Sequence, residues 1–129
     1  PEDYRRITPY LFCSDAEKAL AFYTEIFGMK ERHRLASPNG KIMHAELEIG
    51  DSVIMLSDEF AEMGAHAPGF YGGSPVGLHI YVSNVDEVLA KAILAGAICK
   101  SPVEHKFYGD RMGTVVDPFG FTWFIASRY

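Results

Sequence analysis

The chain has 129 residues, of which 48% are hydrophobic and 22% are charged, and its formal net charge is −5 at pH 7. This balance predicts one ordinary folded domain, because a disordered segment has fewer apolar residues and a higher charge. The acidic balance argues against nucleic acid as a partner, since phosphate binding needs a basic stripe. No apolar run approaches the ~20 residues of a membrane span, and no basic leader precedes an apolar stretch. We therefore expect a cytoplasmic protein with no membrane partner.

The two cysteines do not predict a disulfide framework. Cys13 and Cys99 both stand in apolar stretches, and two cysteines are too few for the scaffold of a small secreted domain. We expect two buried, reduced thiols.

The first half of the chain predicts a strand, a helix and three further strands. Residues 6–13 form a short apolar run, and Ser14 followed by Glu17 has the spacing of a helix-capping box. Apolar residues then recur at helical spacing up to Gly28, a residue suited to the C-terminal end of a helix. Three strand-like runs follow, separated by turn sequences, at residues 30–35, 41–49 and 52–57.

The same order of elements then occurs a second time. Residues 58–75 interrupt the pattern with Gly, Pro and Ala, which predicts a long cover loop. A strand at 77–83 follows, and a helix begins at Asn84, with Glu87 completing the capping pair, and ends at Gly96. Three more strands are predicted at residues 97–103, 111–116 and 121–127.

This repeat predicts an α+β fold made of two βαβββ units in a single domain. Unit one spans 1–57, the loop spans 58–75 and unit two spans 76–129. In such a unit the helix covers one face of the sheet and leaves the other face open. Two curved sheets with their open faces together would enclose a cleft, and a concavity of that kind is where a ligand is expected.

Four sequence stretches resemble a known family. They are SDAEKALAFY at 14–23, HAEL at 44–47, YGDR at 108–111 and DPFG at 117–120. With the paired units, they resemble the vicinal oxygen chelate superfamily of glyoxalase I, bleomycin-resistance proteins and extradiol dioxygenases, and in particular its PhnB-like branch. The resemblance covers essentially the whole chain. It implies the fold described above and a homodimer, while members of the superfamily differ in their chemistry.

The resemblance also implies where a metal would be held. Enzymes of this superfamily carry ligands in the first and last strand of each unit, and these positions correspond here to Thr8, Met55, His79 and Phe124. The two first-strand positions lie 71 residues apart and the two last-strand positions 69. A catalytic ion needs about three protein ligands, and of these four side chains only His79 is a good one. We therefore expect no metal and no cofactor at these positions.

One metal alternative stays open at His44 and Glu46. The two residues stand two apart on a strand and so share a face, and with His79 they would form a displaced His-Glu-His site. The competing interpretation is a polar stripe on the open face of the sheet, because the run 41–49 alternates polar and apolar residues.

Period-two alternation assigns the other strand residues to two faces. With Thr8 on the open face, the same side carries Tyr10, Phe12, Met55, His79, Tyr81 and Phe124. The opposite side packs against the helices and comprises Leu11, Cys13, Ile54, Leu56, Leu78, Ile80, Val82, Trp123 and Ile125. The open-face rings suit a flat, partly apolar ligand, or they fill a core of their own; both interpretations remain open.

Two functions of different classes follow. The first is a non-catalytic binding protein of the bleomycin-resistance type, which sequesters a planar aromatic drug-like molecule, natural product or peptide antibiotic. In this hypothesis Phe70 and Tyr71 of the cover loop cap the ligand, and the role is antibiotic resistance or self-protection. The second is a metal-dependent glyoxalase-like or dioxygenase-like enzyme with a non-standard site. No nucleophile motif and no catalytic residue is found in the sequence, which favours the first hypothesis.

Overall fold

Two four-stranded sheets make up the fold, and each is packed against its own helix. The computed structural model describes residues 4–128, and the described chain divides after Tyr71 into two compact units, called unit 1 and unit 2 below. Each unit is a βαβββ motif, so the predicted α+β class is confirmed. Among residues 4–128, no helix is long and apolar enough to cross a membrane.

In unit 1 the first strand pairs in parallel with the last. The elements in chain order are β1 (Tyr10–Cys13), α1 (Ala16–Phe27), β2 (Lys30–Ala36), β3 (Ile42–Ile49) and β4 (Ser52–Asp58). The strand order in the sheet is β1-β4-β3-β2, and all neighbours except β1 and β4 are antiparallel. Parallel neighbours cannot be joined by a tight turn, and α1, β2 and β3 supply the connection here.

The segment after β4 has local structure, which corrects the prediction of a long loop over 58–75. Backbone hydrogen bonds pair Phe60 with Ala65 around a 3-10 turn at Ala61–Met63. A short helix, α2 (Pro68–Tyr71), then ends unit 1. These elements are too short to show a hydrophobic period, which is why the sequence pattern did not predict them.

Unit 2 repeats the architecture of unit 1. Its elements are β5 (Gly77–Tyr81), α3 (Val85–Leu94), β6 (Ile98–His105), β7 (Asp110–Val116) and β8 (Thr122–Arg128). The strand order is β5-β8-β7-β6, again with the first and last strands parallel.

The helix ends follow the predicted pattern at Gly28 and Asn84 and depart from it at the start of α1 and at the end of α3, where Ala95 and not Gly96 is the C-terminal cap. Asp15, and not Ser14, caps α1, and its carboxylate accepts a backbone N–H of the first turn at 3.1 Å. Both residue types cap helices well, so the sequence alone does not decide between neighbours. Gly28 ends α1 with φ at 74°, in the left-handed region that favours glycine. Asn84 caps α3, as predicted.

A side chain from the last strand of each unit binds the first helical N–H group. Asp58 accepts the N–H of Ala16 at 2.8 Å and, through its other oxygen, that of Ile42 at 2.7 Å. Ser127 accepts the N–H of Val85 at 3.0 Å. The first N–H groups of a helix have no partner within it, so these bonds attach each helix to its sheet. Positions 58 and 127 lie 69 residues apart, as do 16 and 85, so the repeat extends to single hydrogen bonds.

The helix-facing side of each sheet has the residues that strand alternation predicts. Leu11 is 5% exposed, Ile80 7% and Trp123 2%. Cys13 is also buried, but Cys99 is exposed on β6, which corrects the expectation of two buried thiols. β6 lies at the edge of its sheet, and the apolar run around Cys99 does not reveal that position.

The first strand is shorter than predicted, so that Thr8 lies before β1 and not inside it. Strand pairing begins at Tyr10, opposite Met55. The residue before it is Pro9, which has no N–H to donate to a neighbouring strand, although its carbonyl accepts the N–H of Met55 at 2.9 Å. The side chain at position 8 is half-buried.

Candidate functional site

Apart from Thr8, Phe70 and Tyr71, the candidate site residues lie on the sheet faces that point away from the helices, called the open faces below. In unit 1, Tyr10 on β1 is opposite Met55 on β4, which in turn is opposite Glu46 on β3. Opposed residues on neighbouring strands project from the same side of a sheet. These three positions therefore form a row across the open face of unit 1.

Three side chains of that face form a continuous hydrogen-bonded chain. The Tyr10 hydroxyl lies 2.9 Å from Nδ1 of His44, and Nε2 of His44 lies 2.8 Å from Oε2 of Glu46. Since β4 separates β1 from β3, the tyrosine side chain reaches across a whole strand to make this contact. His44 and Glu46 share a face, as predicted.

Glu46 is a buried carboxylate, only 3% exposed, which the predicted polar stripe did not anticipate. The Tyr4 hydroxyl donates to it at 2.9 Å, and Nε of Arg32 lies 3.3 Å from its Oε1. Burial raises the pKa of Glu46, but the hydrogen bonds from His44 and Tyr4 and the charge of Arg32 outweigh it. The net pKa lies below its ordinary value, so Glu46 is ionised at neutral pH.

The open face of unit 2 carries a row of rings. His79 on β5 is opposite Phe124 on β8, and their rings are stacked with centroids 6.4 Å apart. The His79 and Tyr81 ring centroids lie 4.8 Å apart. Tyr81 is 53% exposed, and Phe124 is half-buried over Gly77. The open face of unit 1 has a comparable pair, with Tyr10 and Phe12 centroids 5.2 Å apart.

A second buried carboxylate lies beside those rings. Asp110 is 1% exposed and accepts the Tyr81 hydroxyl at 2.6 Å and Nε of Arg128 at 3.1 Å. The pKa of Asp110 lies below its ordinary value, mainly because of the hydrogen bond from Tyr81. Burial raises this pKa, and the hydrogen bond and charge of Arg128 lower it further. The hydrogen bond between Tyr81 and Asp110 raises the pKa of Tyr81, because the phenolate would face a carboxylate.

The side chains at the positions where the resemblance places metal ligands do not fit a metal ion. In unit 2 the pair is His79 and Phe124, and a phenyl ring has no lone pair to offer. In unit 1 the pair is Thr8, outside the strand, and Met55, a soft thioether. The alternative ligands His44 and Glu46 are hydrogen-bonded to each other through Nε2 and Oε2. Within either unit, the residues described contain no group of three or more His, Cys, Asp or Glu side chains suited to a metal.

The two rings expected to cap a ligand lie in α2. Phe70 stacks on His66 with centroids 3.7 Å apart, and the Tyr71 ring packs edge-on against Phe70 at 4.9 Å. Both remain about two-thirds exposed, at 64% and 65%. Their placement over a ligand stays a prediction.

Sequence reasoning missed four polar residues that contact the side chains of the open faces: Tyr4, Arg32, Asp110 and Arg128. Each meets its partner from a segment distant along the chain, as with Tyr81 and Asp110, which stand 29 residues apart. One of the four could have been found from the sequence: Asp110 is a charged residue inside the YGDR stretch that supported the family resemblance.

Comparison with known proteins supports that resemblance. Residues 6–125 match the family described as the Glyoxalase/Bleomycin resistance protein/Dioxygenase superfamily. The chain is 38% identical over 124 residues to the uncharacterized protein Mb0911c of Mycobacterium bovis, covering 94% of this chain and 82% of that protein. Protein PA1353 from Pseudomonas aeruginosa is similar in structure, with a TM-score of 0.76, 26% identity and coverage of 97% and 98% of the two chains. The PhnB protein from Bacillus cereus shares the fold at 18% identity, with a TM-score of 0.73 and coverage of 95% and 99%. Since the match spans nearly the whole chain, this protein belongs to the glyoxalase/bleomycin resistance protein/dioxygenase superfamily.

Proposed function

We propose that this protein binds a planar aromatic or heteroaromatic small molecule on its open faces and sequesters it, as a bleomycin-resistance protein does. The observation that carries the proposal is the exposure of rings on the open faces, beside the positions where related enzymes place metal ligands. Tyr81, the last residue of β5, is 53% exposed, and Tyr10, the first residue of β1, is 40% exposed. Drug-like molecules or peptide antibiotics are the proposed partners, and a homodimer is the proposed assembly.

The ring-bearing faces have the chemistry that a flat ligand needs. Aromatic contacts add ~1 kcal/mol each beyond the burial of apolar area. A micromolar dissociation constant corresponds to ~8 kcal/mol of binding free energy, and part of the gross interaction is lost to the cost of association. Several rings together with Met55 supply contacts of the required kind. The predicted cleft formed by both open faces would add contact area, and it stays a prediction.

A binding screen tests the proposal. The protein is mixed with planar aromatic antibiotics and with the dye proflavine, and the melting temperature is measured for each. A ligand that binds only the folded state raises the melting temperature, and the stabilisation grows with the logarithm of the ligand concentration divided by its dissociation constant. If no planar compound raises the melting temperature or binds by calorimetry, the proposal fails.

Replacement of one ring tests where the compound binds. Phe124→Leu keeps an apolar side chain but removes the stacking surface, and we expect it to weaken binding by tenfold or more. Phe107→Leu is the control, because that ring is fully exposed in the turn after β6. Tyr81→Ala is less informative, since it also removes the hydrogen bond to buried Asp110 and so destabilises the fold. Equal binding by the two leucine variants would contradict an open-face site in unit 2.

Metal content distinguishes this function from the metal-dependent alternative. The protein is purified without chelators and analysed for zinc, nickel, iron and manganese. One equivalent of any of these per chain would contradict the binding function proposed and direct attention to His44 and Glu46.

A further inference from the structure

We propose that Glu46, His44 and Tyr10 form a triad that makes the Tyr10 hydroxyl a reactive nucleophile toward activated acyl compounds such as aryl esters. This activity goes beyond the binding function proposed above and belongs to unit 1 alone. The arrangement has a nucleophile hydrogen-bonded to a base at 2.9 Å and the base hydrogen-bonded to a carboxylate at 2.8 Å. That order of contacts is the geometric requirement for base-assisted nucleophilic attack.

The protonation states follow from the carboxylate. Glu46 is ionised at neutral pH and can only accept a hydrogen bond. Nε2 of His44 must therefore donate to it, which in the neutral imidazole leaves the lone pair on Nδ1. The Tyr10 hydroxyl then donates a hydrogen bond to Nδ1. The proton of the nucleophile already points at the base that would accept it.

The surroundings keep the triad aligned while leaving its outer end accessible. Tyr4 donates to Glu46 and Arg32 lies within 3.3 Å of it, which fixes the carboxylate in a buried position. His44 is partly exposed, and Tyr10 at the outer end is 40% exposed. Exposure therefore increases from the carboxylate to the nucleophile, as attack on an external molecule requires.

The chemical step is the transfer of an acyl group to Tyr10. Its phenolic oxygen forms a bond to the carbonyl carbon of an aryl ester, and its proton passes to Nδ1 of His44. The tetrahedral intermediate collapses by breaking the bond between the carbonyl carbon and the aryloxide, which departs. The products are acyl-Tyr10, the aryloxide and an imidazolium that faces Glu46. Glu46 is a positioning residue, which orients His44 and stabilises its positive charge.

Tyr81 provides a matched control within the same chain. It stands 71 residues after Tyr10, on the first strand of unit 2, and its hydroxyl is bound by Asp110 instead of a histidine. A carboxylate is a much weaker base than imidazole. Tyr71 is a second reference, because it is more exposed than Tyr10. Exposure alone therefore predicts that Tyr71 reacts fastest, whereas the triad predicts Tyr10.

The experiment uses p-nitrophenyl acetate with the full chain. Release of p-nitrophenolate is followed at 400 nm, and peptide mass spectrometry measures acetylation at Tyr10, Tyr71 and Tyr81 over time. General-base assistance is worth roughly 100-fold or more, so we expect Tyr10 to be acetylated about 100-fold faster than the two reference tyrosines. A rate at Tyr10 less than tenfold above both references would overturn the proposal.

Variants test the role of each partner. His44→Gln keeps a polar side chain but removes the base, and we expect the rate at Tyr10 to fall roughly 100-fold. Glu46→Gln should lower it as well, while acetylation of Tyr71 stays constant in both variants. Melting temperatures show whether the variants are folded. If they are not, the acetylation rates of Tyr10, Tyr71 and Tyr81 in the wild-type chain decide whether the proposal holds. An unchanged rate at Tyr10 in folded His44→Gln would also overturn the proposal.

Discussion

The turn between β7 and β8 offers a quantitative test of the hydrogen bonds that position β8, the strand that carries Phe124. Asp117 is 4% exposed, and its Oδ1 accepts the N–H groups of Phe119 at 2.9 Å and Phe121 at 3.0 Å. Its Oδ2 accepts the indole N–H of Trp123 at 2.8 Å. One side chain thus closes the DPFG turn and anchors the beginning of β8, the strand that carries Phe124.

Two substitutions at this position separate the contributions. In Asp117→Asn, the amide oxygen still accepts the two backbone N–H groups, but the amide NH2 opposes the indole N–H of Trp123. A hydrogen bond to a charged group contributes ~1.5–3 kcal/mol, so we expect a loss of ~2 kcal/mol in the free energy of unfolding. Asp117→Ala leaves three buried donors without this acceptor, at ~1–3 kcal/mol each, and we expect a loss of ~3–5 kcal/mol. Asp51→Asn, at the exposed turn between β3 and β4, is the control.

Urea denaturation at pH 7 measures these differences. Trp123 is the only tryptophan in the chain, so its fluorescence reports directly on this turn. Far-UV circular dichroism should give the same midpoint when unfolding is two-state. A loss below ~0.5 kcal/mol for Asp117→Ala, the range of ordinary surface substitutions, would refute the assignment of these hydrogen bonds. Equal losses for the Asn and Ala variants would show that the two backbone bonds contribute nothing.

Three further predictions concern stability. Leu11→Ala should lower the free energy of unfolding by ~2–5 kcal/mol as a core truncation, and a loss below ~0.5 kcal/mol in urea would mean that its face is misassigned. Gly28→Ala should cost ~1–2 kcal/mol because φ is 74° there; an unchanged urea midpoint would show that the helix end relaxes. Asp110→Asn should destabilise the protein at pH 7, because the folded-state pKa of Asp110 lies below its ordinary value, mainly through Tyr81. That stabilisation is present above about pH 4 and is lost as pH falls through the folded pKa. The free energies of unfolding of wild type and variant should therefore converge as the pH is lowered. A difference that stays constant with pH would refute this dependence.

Much of the fold is predictable from the sequence because local patterns determine it. Asn84 and Gly28 mark helix ends through capping chemistry, and period-two alternation places Leu11 and Trp123 against the helices. The errors arise where a local signal is ambiguous or a distant partner decides. Ser14 and Asp15 are both good caps, and only the structure shows that Asp15 is used.

The candidate site is less predictable because its contacts join segments far apart in the chain. The sequence places His44 and Glu46 on one face, and they do lie there. It does not show that the Tyr10 side chain crosses β4 to meet His44, because that contact depends on the strand order β1-β4-β3. Burial of Glu46 likewise depends on Tyr4, which is 42 residues away. A contact between residues so far apart produces no repeating pattern of polar and apolar residues that the sequence could reveal.

The two units share the hydrogen bonds that attach each helix to its sheet and differ in the chemistry of their open faces. Tyr10 and Tyr81 occupy corresponding positions on the first strand of each unit, and each hydroxyl is held by a polar side chain of the same open face. The carboxylate of Asp110 can accept a hydrogen bond at neutral pH but is too weak a base to take the proton from Tyr81. An imidazole is a much stronger base than a carboxylate, and Nδ1 of His44 lies 2.9 Å from the Tyr10 hydroxyl, within reach of its proton. A single difference in the hydrogen-bond acceptor therefore distinguishes Tyr81, which we propose to contact a ligand, from Tyr10, which we propose to react as a nucleophile.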